Sequence, residues 1–271
     1  MSAKATQPRV WPRGVTVISL KSSEDIEKMR RAGRLVAEAH QRVRELLAPG
    51  VSTKELDEEI RDFVVARGGT LLFYKYRGFP ANACISINSE VVHGIPRKRR
   101  KLKDGDIVSV DIGVRLDGFC GDSAWTLPVG EVGEDVQALL DVGEESLRRG
   151  IEACRPNGKI SDIGRAIQTY AEGGGYTVVK QFVGHGIGTK LHEDPQVPNY
   201  VDRGLLRRDP VLKPGMVLAI EPMVNAGAEE VETLDDGWTV VTKDRELSVH
   251  FEHTVVITSG GPRILTVLGE D

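Results

Sequence analysis

The chain has 271 residues, enough to bury one large core, and no Pro- or Ser-rich linker divides it. Its formal net charge of −4 argues against a general nucleic-acid-binding protein, and no stretch approaches the roughly 20 apolar residues that span a bilayer. Cys84, Cys120 and Cys154 lack paired motif spacing, which argues against a disulfide framework. We therefore predict a reducing, cytoplasmic setting, with an organelle as the alternative.

At the N-terminus, residues 1–21 include basic side chains but lack the apolar segment of a secretory signal. We predict that they form a poorly ordered extension, followed by a single domain over residues 22–271. A first helix is predicted to open that domain, because apolar residues recur there at spacings of three and four. A second helix is predicted over residues 53–67, where Ser52 and Glu55 match a capping box.

An Asp-Gly dipeptide at positions 117–118 separates two segments of alternating apolar residues. This dipeptide is typical of a two-residue hairpin turn. In the register that such a turn sets, Asp122 lies opposite Gly113 and shares a sheet face with Asp111. We therefore predict that the two carboxylates converge on one ion or pair of ions.

The segment LKDGDIVSVD recurs later in the chain as LKPGMVLAIE, and each copy ends in an acid, Asp111 or Glu221. Predicted helices precede both copies. The period is far longer than the roughly 20 to 50 residues of solenoid repeats. We therefore predict one α+β domain built from two related halves, residues 22–130 and 131–268.

The second half contributes two further candidates for a site. His185 lies in the glycine-flanked segment GHGIG. A last strand is predicted over residues 247–258, where alternation places His250, Glu252 and Thr254 on one face. Each half is thus predicted to end in two strands that each present one acid.

Together these patterns predict a cluster of four carboxylates with one imidazole, from Asp111, Asp122, Glu221, Glu252 and His185. Burying unpaired carboxylates is unfavourable, and two divalent cations would neutralise them. Oxygen and imidazole donors without a thiolate suit Mn, Fe, Co or Zn. A pair of such ions can activate water for attack on a carbonyl at neutral pH.

The five candidates lie in motifs that resemble, in order and spacing, the metal-binding motifs of methionine aminopeptidases. These motifs are VDIG at Asp111, GDSA at Asp122, GHGIG at His185, IEPMV at Glu221 and FEHT at Glu252. The resemblance covers residues 22–268 and is to type I members, because no long insertion separates the third motif from the fourth. It implies the pita-bread fold, in which two pseudo-twofold-related ααββ halves pack helices on a curved, mainly antiparallel sheet.

The resemblance also implies an activity: removal of the N-terminal methionine from nascent proteins and peptides when the second residue is small. Water held by two divalent ions would attack the scissile carbonyl, and Glu221 would carry a proton from it to the leaving amine. Asp122 and Glu252 would each bridge both ions. His192 would contact the scissile carbonyl, and His93 would orient the peptide. The methionine pocket would be lined by Tyr76, Phe79, Cys84, His93, His192 and Trp238.

One dense basic run, Arg97–Lys103, contrasts with the acidic chain. We interpret it as a solvated loop, or alternatively as a contact for ribosomal RNA that places the enzyme near emerging chains. We predict no membrane contact, no specific DNA binding and a monomeric chain.

Two other functions stay open at this point. One is an Xaa-Pro peptidase or creatinase-like hydrolase on the same fold, and the other is a non-catalytic binding protein. Bound divalent metal would argue against the binding protein. A comparison of Met-Ala with Xaa-Pro peptides as substrates would separate the two kinds of enzyme.

Overall fold

The computed structural model describes residues 17–207 and 209–269 of the chain. Within these ranges the chain forms five helices, one 3-10 turn and fifteen strands. The helices are α1 (Ser23–Leu46), α2 (Thr53–Ala66), α3 (Glu134–Glu152), α4 (Ile160–Gly173) and α5 (Arg203–Leu206), and the 3-10 turn is Tyr76–Gly78. The strands are β1 (Thr70–Leu71), β2 (Cys84–Ile87), β3 (Glu90–Val92), β4 (Ile107–Leu116), β5 (Phe119–Pro128), β6 (Thr177–Val178), β7 (Gly184–Gly186), β8 (Glu193–Val197), β9 (Val217–Ile220), β10 (Met223–Asn225), β11 (Val231–Thr233), β12 (Val240–Thr242), β13 (Ser248–His250), β14 (Glu252–Thr258) and β15 (Gly261–Ile264).

The main sheet has nine strands in the order β1-β4-β5-β14-β9-β7-β8, with β2 against β4 and β15 against β14. Its neighbouring strands are antiparallel. The two halves of the chain meet where β5 pairs with β14, through Glu252 opposite Ala124 and His253 opposite Ser123. Two smaller sheets, β13-β10-β6 and β11-β12-β3, lie beside it. The predicted α+β arrangement is confirmed.

The first two helices begin as the sequence indicates. The side chain of Ser22 accepts a hydrogen bond from the Asp25 N–H, and that of Ser52 accepts one from Glu55, so both helices start with capping boxes. Such a cap contributes about 1 kcal/mol to helix stability. In the described part of the chain, none of the helices is long and apolar enough to cross a membrane.

Each half of the main sheet is covered by its own pair of helices. In the first half, Leu56 and Ile60 of α2 are buried in one cluster with Val110 of β4. In the second half, Ile163 and Ile167 of α4 are buried in a cluster with residues of β9 and β14. Full burial of such an aliphatic side chain stabilises the fold by roughly 1.5–3 kcal/mol. The boundary between the halves near residue 130 stays a prediction.

The duplicated segments fold alike up to their acids and then differ. Gly105 and Gly215 occupy equivalent turns with φ of 84° and 89°, a region that favours glycine. The strand after the first turn continues past Asp111, whereas the strand after the second ends at Ile220. Pro222 follows closely and has no N–H to extend the ladder.

The hairpin register predicted from the Asp-Gly turn is confirmed. Asp117 and Gly118 have φ of 52° and 84°, both in the left-handed region that a type I′ turn requires. Asp122 pairs with Gly113, and Asp111 pairs with Ala124. Asp111 and Asp122 are therefore diagonal neighbours on one face of the sheet.

The last strand was predicted to be continuous over residues 247–258, and this is wrong. The run is divided at Phe251 into β13, which pairs with β10, and β14, which pairs with β5 and β9. The Phe251 N–H donates to the carbonyl of Pro222 instead of joining a ladder. The chain changes sheets at this residue, which alternation alone does not reveal.

The N-terminal prediction falls mostly outside the described residues, since residues 1–16 are not among them. Residues 17–21 lie against the second half of the sheet. The Lys21 N–H donates to the carbonyl of Gly215 at 2.7 Å, and the Lys21 ammonium pairs with Glu193.

Candidate metal centre

Five neighbouring strands of the main sheet each carry one of the predicted ligands. In the order β4-β5-β14-β9-β7, these strands present Asp111, Asp122, Glu252, Glu221 and His185, with Glu221 directly after the end of β9. The duplicated strands supply the acids at positions 111 and 221. The strand order, which folds the second half against the first, therefore brings all five side chains to one region.

The donor atoms of this group lie close together. His185 Nε2 is 3.4 Å from Glu221 Oε1 and 3.9 Å from Asp122 Oδ2. Asp122, His185 and Glu252 each offer a ligand atom within 4.8 Å of the others, and these residues are only 4%, 6% and 2% exposed. The carboxyl of Asp111 interacts with that of Asp122, its diagonal neighbour in the β4-β5 hairpin.

Burial and mutual repulsion make this carboxylate cluster unfavourable by itself. Burial raises the pKa of Asp111 from 3.8 to about 8, although the contact with Asp122 partly opposes the rise. The pKa values of Asp122, Glu221 and Glu252 are likewise raised, first by burial and then by neighbouring acids. Burial lowers the pKa of His185 to about 4, so its imidazole is neutral at pH 7 and does not compensate the acids.

The side chains present fit divalent metal ions. Asp111 Oδ1, Asp122 Oδ1 and Glu252 Oε1 are buried and have no hydrogen-bond partner among the residues that the structure describes. An unsatisfied buried acceptor costs about 1–3 kcal/mol, so these atoms call for a cationic partner. His185 Nδ1 lies 3.0 Å from the carbonyl of Gly186, which can only accept. Nδ1 therefore carries the proton and Nε2 keeps a free lone pair toward the acids.

His192 lies directly beside this group. Its ring centroid is 4.2 Å from that of His185, and the Tyr76 hydroxyl is hydrogen-bonded to His192 Nδ1 at 2.9 Å. Burial, followed by the nearby His185, lowers the pKa of His192 to about 2. The imidazole is therefore neutral and carries one N–H.

Two further histidines, His93 and His250, lie near this group. The His93 ring makes edge contacts with Phe182 at 5.5 Å and Trp238 at 6.3 Å, and burial lowers its pKa to about 4. His250 is 3% exposed, and its Nε2 is 3.8 Å from Glu221 Oε2. Alternation in the sequence predicts that His250 shares a face with Glu252 but indicates no role for it.

Four of the six predicted methionine-pocket residues gather into one apolar cluster. Phe79 and Cys84 are buried in it, and Tyr76 and Trp238 pack against it. Phe79 and Trp238 meet edge to face with centroids 5.2 Å apart. Cys84 lies opposite Asp111 in the strand pairing, so the pocket adjoins the acids. Burial and that acid raise the pKa of the Cys84 thiol, which is therefore no nucleophile at pH 7.

Three apolar side chains of the site were missed in the sequence. Leu191 is buried in the cluster of Phe79, and Ile95 packs against it. Phe182 contacts His93 through ring edges. These residues lie outside the regular strands, so no periodicity marked them, although Leu191 directly precedes His192.

Comparisons with known proteins show the family to which the chain is similar. The chain matches the model of metallopeptidase family M24 over residues 27–259. It is 51% identical over 250 residues to methionine aminopeptidase 1 of Bacillus subtilis (strain 168), covering 92% of this chain and 99% of that protein.

Solved structures share the fold. The methionine aminopeptidase from Rickettsia prowazekii has a TM-score of 0.89 and 40% identity, covering 93% of this chain and 100% of that chain. The Xaa-Pro dipeptidase from Bacillus anthracis has a TM-score of 0.72 and 21% identity, covering 93% and 63%, a likeness in fold alone. The predicted pita-bread fold is confirmed by these likenesses.

Proposed function

Because the chain belongs to metallopeptidase family M24, among its methionine aminopeptidases, we propose how its side chains divide the metal-dependent removal of N-terminal methionine. The chain is an enzyme, and the alternative of a non-catalytic binding protein is set aside. The observation that carries the proposal is the buried, uncompensated group of Asp122, His185 and Glu252, with Asp111 and Glu221 adjoining it. The preferred substrates are peptides and nascent chains whose second residue is small.

Two divalent ions would be held by Asp111, Asp122, His185, Glu221 and Glu252. The buried oxygens without partners at Asp111, Asp122 and Glu252 support this set. When bound, Mn, Fe, Co or Zn would supply a water of lowered pKa and a polarised carbonyl. Within the set, Asp122 and Glu252 lie on the paired strands β5 and β14, and each would help to hold both ions.

Glu221 is the proton carrier. It lies directly after β9 instead of within a ladder, and its two oxygens face His185 and His250. In the metal-free protein, burial, Asp122 and Asp111 raise the pKa of its carboxyl. From its position between the two histidines, Glu221 would accept a proton during attack and deliver it to the leaving amine.

His192 and His93 act on the substrate. The neutral His192 carries one N–H, which can donate to the carbonyl oxygen where negative charge develops. The Tyr76 hydroxyl, 2.9 Å from His192 Nδ1, holds the ring in place. His93, beside Trp238, orients the peptide at the mouth of the pocket.

Tyr76, Phe79, Cys84 and Trp238 hold the methionine side chain. An unbranched thioether suits a slot lined by aromatic rings and sulfur, because sulfur makes favourable contacts with ring edges. The ring planes of Phe79 and Trp238 already meet at 75°, which leaves two differently oriented ring faces for one flexible side chain. His93 and His192 close the polar end.

A direct assay tests the activity and its specificity. Chelator-treated protein is reloaded with one metal at a time and given Met-Ala-, Met-Leu- and Xaa-Pro-starting peptides. We expect metal-dependent release of methionine from the first peptide and little from the other two. Release from Xaa-Pro peptides at a comparable rate would support the rival peptidase specificity instead.

The proposed setting is a monomer in the cytoplasm that meets ribosomes through Arg97–Lys103. Within this run, Arg97 pairs with Asp236, Arg100 with Glu90 and Lys101 with Glu55, whereas Lys98, Arg99 and Lys103 are exposed and form no ion pair with the described residues. These three side chains are the ones suited to phosphate contacts.

Charge reversal tests the ribosome contact. We expect the double variant K98E/R99E to co-sediment with ribosomes less than the wild type at low salt, because phosphate contacts are lost. The double variant K243E/R263E makes the same change in net charge at exposed positions elsewhere and serves as the control. Equal co-sedimentation of both variants would contradict the contact.

A further inference from the structure

The described N-terminal residues 17–21, here called the strap, cross the turn that leads to β8. The Lys21 ammonium pairs with Glu193 Oε2 at 2.7 Å, and the two side chains are only 6% and 15% exposed. By contrast, the Lys28–Glu24 pair on α1 has the same distance of 2.7 Å but side chains that are 32% and 79% exposed. A buried pair is sensitive to the loss of one partner, because the other charge is left uncompensated.

Glu193 holds the turn through both of its oxygens. While Oε2 accepts from Lys21, Oε1 accepts from the Lys190 N–H at 3.1 Å. Gly188 lies beneath both side chains: a Cβ there would be 2.4 Å from Lys21 Cε and 2.7 Å from Glu193 Oε1. The turn over residues 188–193 is therefore closed by side chains packed against a backbone without a Cβ.

The strap is also attached on either side of this pair. The Lys21 N–H donates to the Gly215 carbonyl at 2.7 Å, and Gly215 lies in the turn that precedes β9. The Val17 N–H contacts Asp194 Oδ2 at 3.3 Å. The strap thus links the turn before β9 to the first residues of β8.

His192 is the residue immediately before Glu193. Its imidazole lies against His185, with ring centroids 4.2 Å apart, and against the Tyr76 hydroxyl. A shift of the turn would move this ring relative to the metal ligands. A displacement of about 1 Å in a group that acts on the reacting atoms can reduce the rate by about 100-fold.

We propose that Lys21 and Glu193 are positioning residues that hold the turn so that His192 points at the scissile carbonyl. This inference rests on the role proposed above for His192. Burial alone would raise the pKa of Glu193, but Lys21 and the Lys190 N–H outweigh it and the pKa lies below its usual value. The carboxyl of Glu193 is therefore ionised at neutral pH.

Three variants test the pair. We expect K21M, which keeps the length of the side chain but removes its charge, to lower kcat roughly tenfold with little change in KM. K21R should restore most of kcat, and K28M is the matched control with wild-type kinetics. Metal affinity, measured by titration calorimetry on the metal-free protein, should stay within about twofold in K21M, because no proposed ligand is changed.

A double-mutant cycle separates positioning from general destabilisation. If Lys21 acts through His192, K21M should reduce kcat less than about twofold in an H192A background. A K21M loss that persists at full size in H192A, or wild-type kcat in K21M alone, would overturn the inference. Wild-type kcat in H192A would instead overturn the role proposed for His192, and this inference with it.

A second variant tests the same pair in case K21M folds poorly. G188A adds a Cβ between the two side chains and separates the pair while both charges remain. We expect a similar loss of kcat, again absent in the H192A background. An undiminished loss in that background would count against the pair in the same way.

Discussion

At the scale of single residues, the site could be predicted where regular structure determines the direction of a side chain. Asp111 and Asp122 were placed by hairpin register, and the observed pairing agrees. His250 was placed near the site but without a role, because alternation gives a face and not a neighbour. Leu191 and Phe182 were not predicted at all, since they lie in irregular segments where no period applies.

The proton-carrier role of Glu221 can be tested by a single substitution. We expect E221Q to lower kcat by roughly 100- to 10,000-fold, because an amide keeps the shape of the side chain but cannot carry a proton. Steady-state kinetics with a Met-Ala peptide would measure it, alongside metal affinity by calorimetry. A loss of kcat explained wholly by reduced metal occupancy would contradict the proton-carrier role.

At the scale of elements, the helices and the long hairpin were predictable because caps, turn residues and periodicity agree there. The interruption at Phe251 was not, since the two strands β13 and β14 belong to different sheets and read as one alternating run. Pro222 follows the end of β9 and has no N–H that could extend this strand. Such interruptions place Glu221 and Glu252 at strand ends, where a side chain has more freedom than inside a ladder.

Hydroxyl groups join the two central strands beside these acids. Thr254 Oγ1 donates to the Asp122 carbonyl at 2.8 Å and accepts from the Asp122 N–H, while Ser123 Oγ donates to the Glu252 carbonyl at 2.6 Å. Each of these two hydroxyl groups thus fixes the backbone of one predicted ligand. The backbone pairing between β5 and β14 is short, so these hydroxyl groups help to set the distance between the two strands.

We therefore expect T254V, which keeps the shape of the side chain but removes its hydroxyl, to weaken metal binding by roughly 10- to 100-fold. The matched control is T258V at the far end of the same strand, whose hydroxyl donates to Gly261 within a hairpin. Calorimetric titration of both metal-free variants with Mn²⁺ measures the effect. Equal Mn²⁺ affinities in the two variants would contradict a role of the Thr254 hydroxyl in metal binding.

At the scale of the whole molecule, the duplication predicted two halves facing a shared anionic centre. The order of the strands where the two halves meet could not be predicted from the sequence, because it depends on how the halves dock. Nor did the sequence reveal that the strap reaches the turn before β8, since Lys21 and Glu193 are far apart in the chain. Contacts between residues so far apart in the chain produce no periodic pattern in the sequence.

The acids also determine how stability depends on pH in the metal-free protein. The pKa of Asp111 is raised from 3.8 to about 8, so its stabilising contribution is present below 3.8 and is lost as pH rises through about 8. We expect D111N to raise the Tm of chelated protein at pH 8 by several degrees, because about 1 kcal/mol shifts Tm by roughly 2–4 °C.

That Tm difference should shrink as the pH falls toward 5, where the wild-type carboxyl is protonated. Scanning calorimetry with chelator present measures it, and D141N on the exposed face of α3 is the control. A Tm difference that does not change with pH would contradict the electrostatic origin. Added Mn²⁺ should raise the Tm of the wild type more than that of D111N, because metal binding requires the ionised carboxylate.

The short pairing of β5 with β14 has a mechanical consequence. Ions held by side chains from both halves would cross-link the chain at this short junction, as a disulfide does, but reversibly and in proportion to free metal. Hydrogen exchange of the amides along that junction would then slow as metal is added. Metal supply would govern the protein's resistance to proteolysis as well as its turnover of substrate.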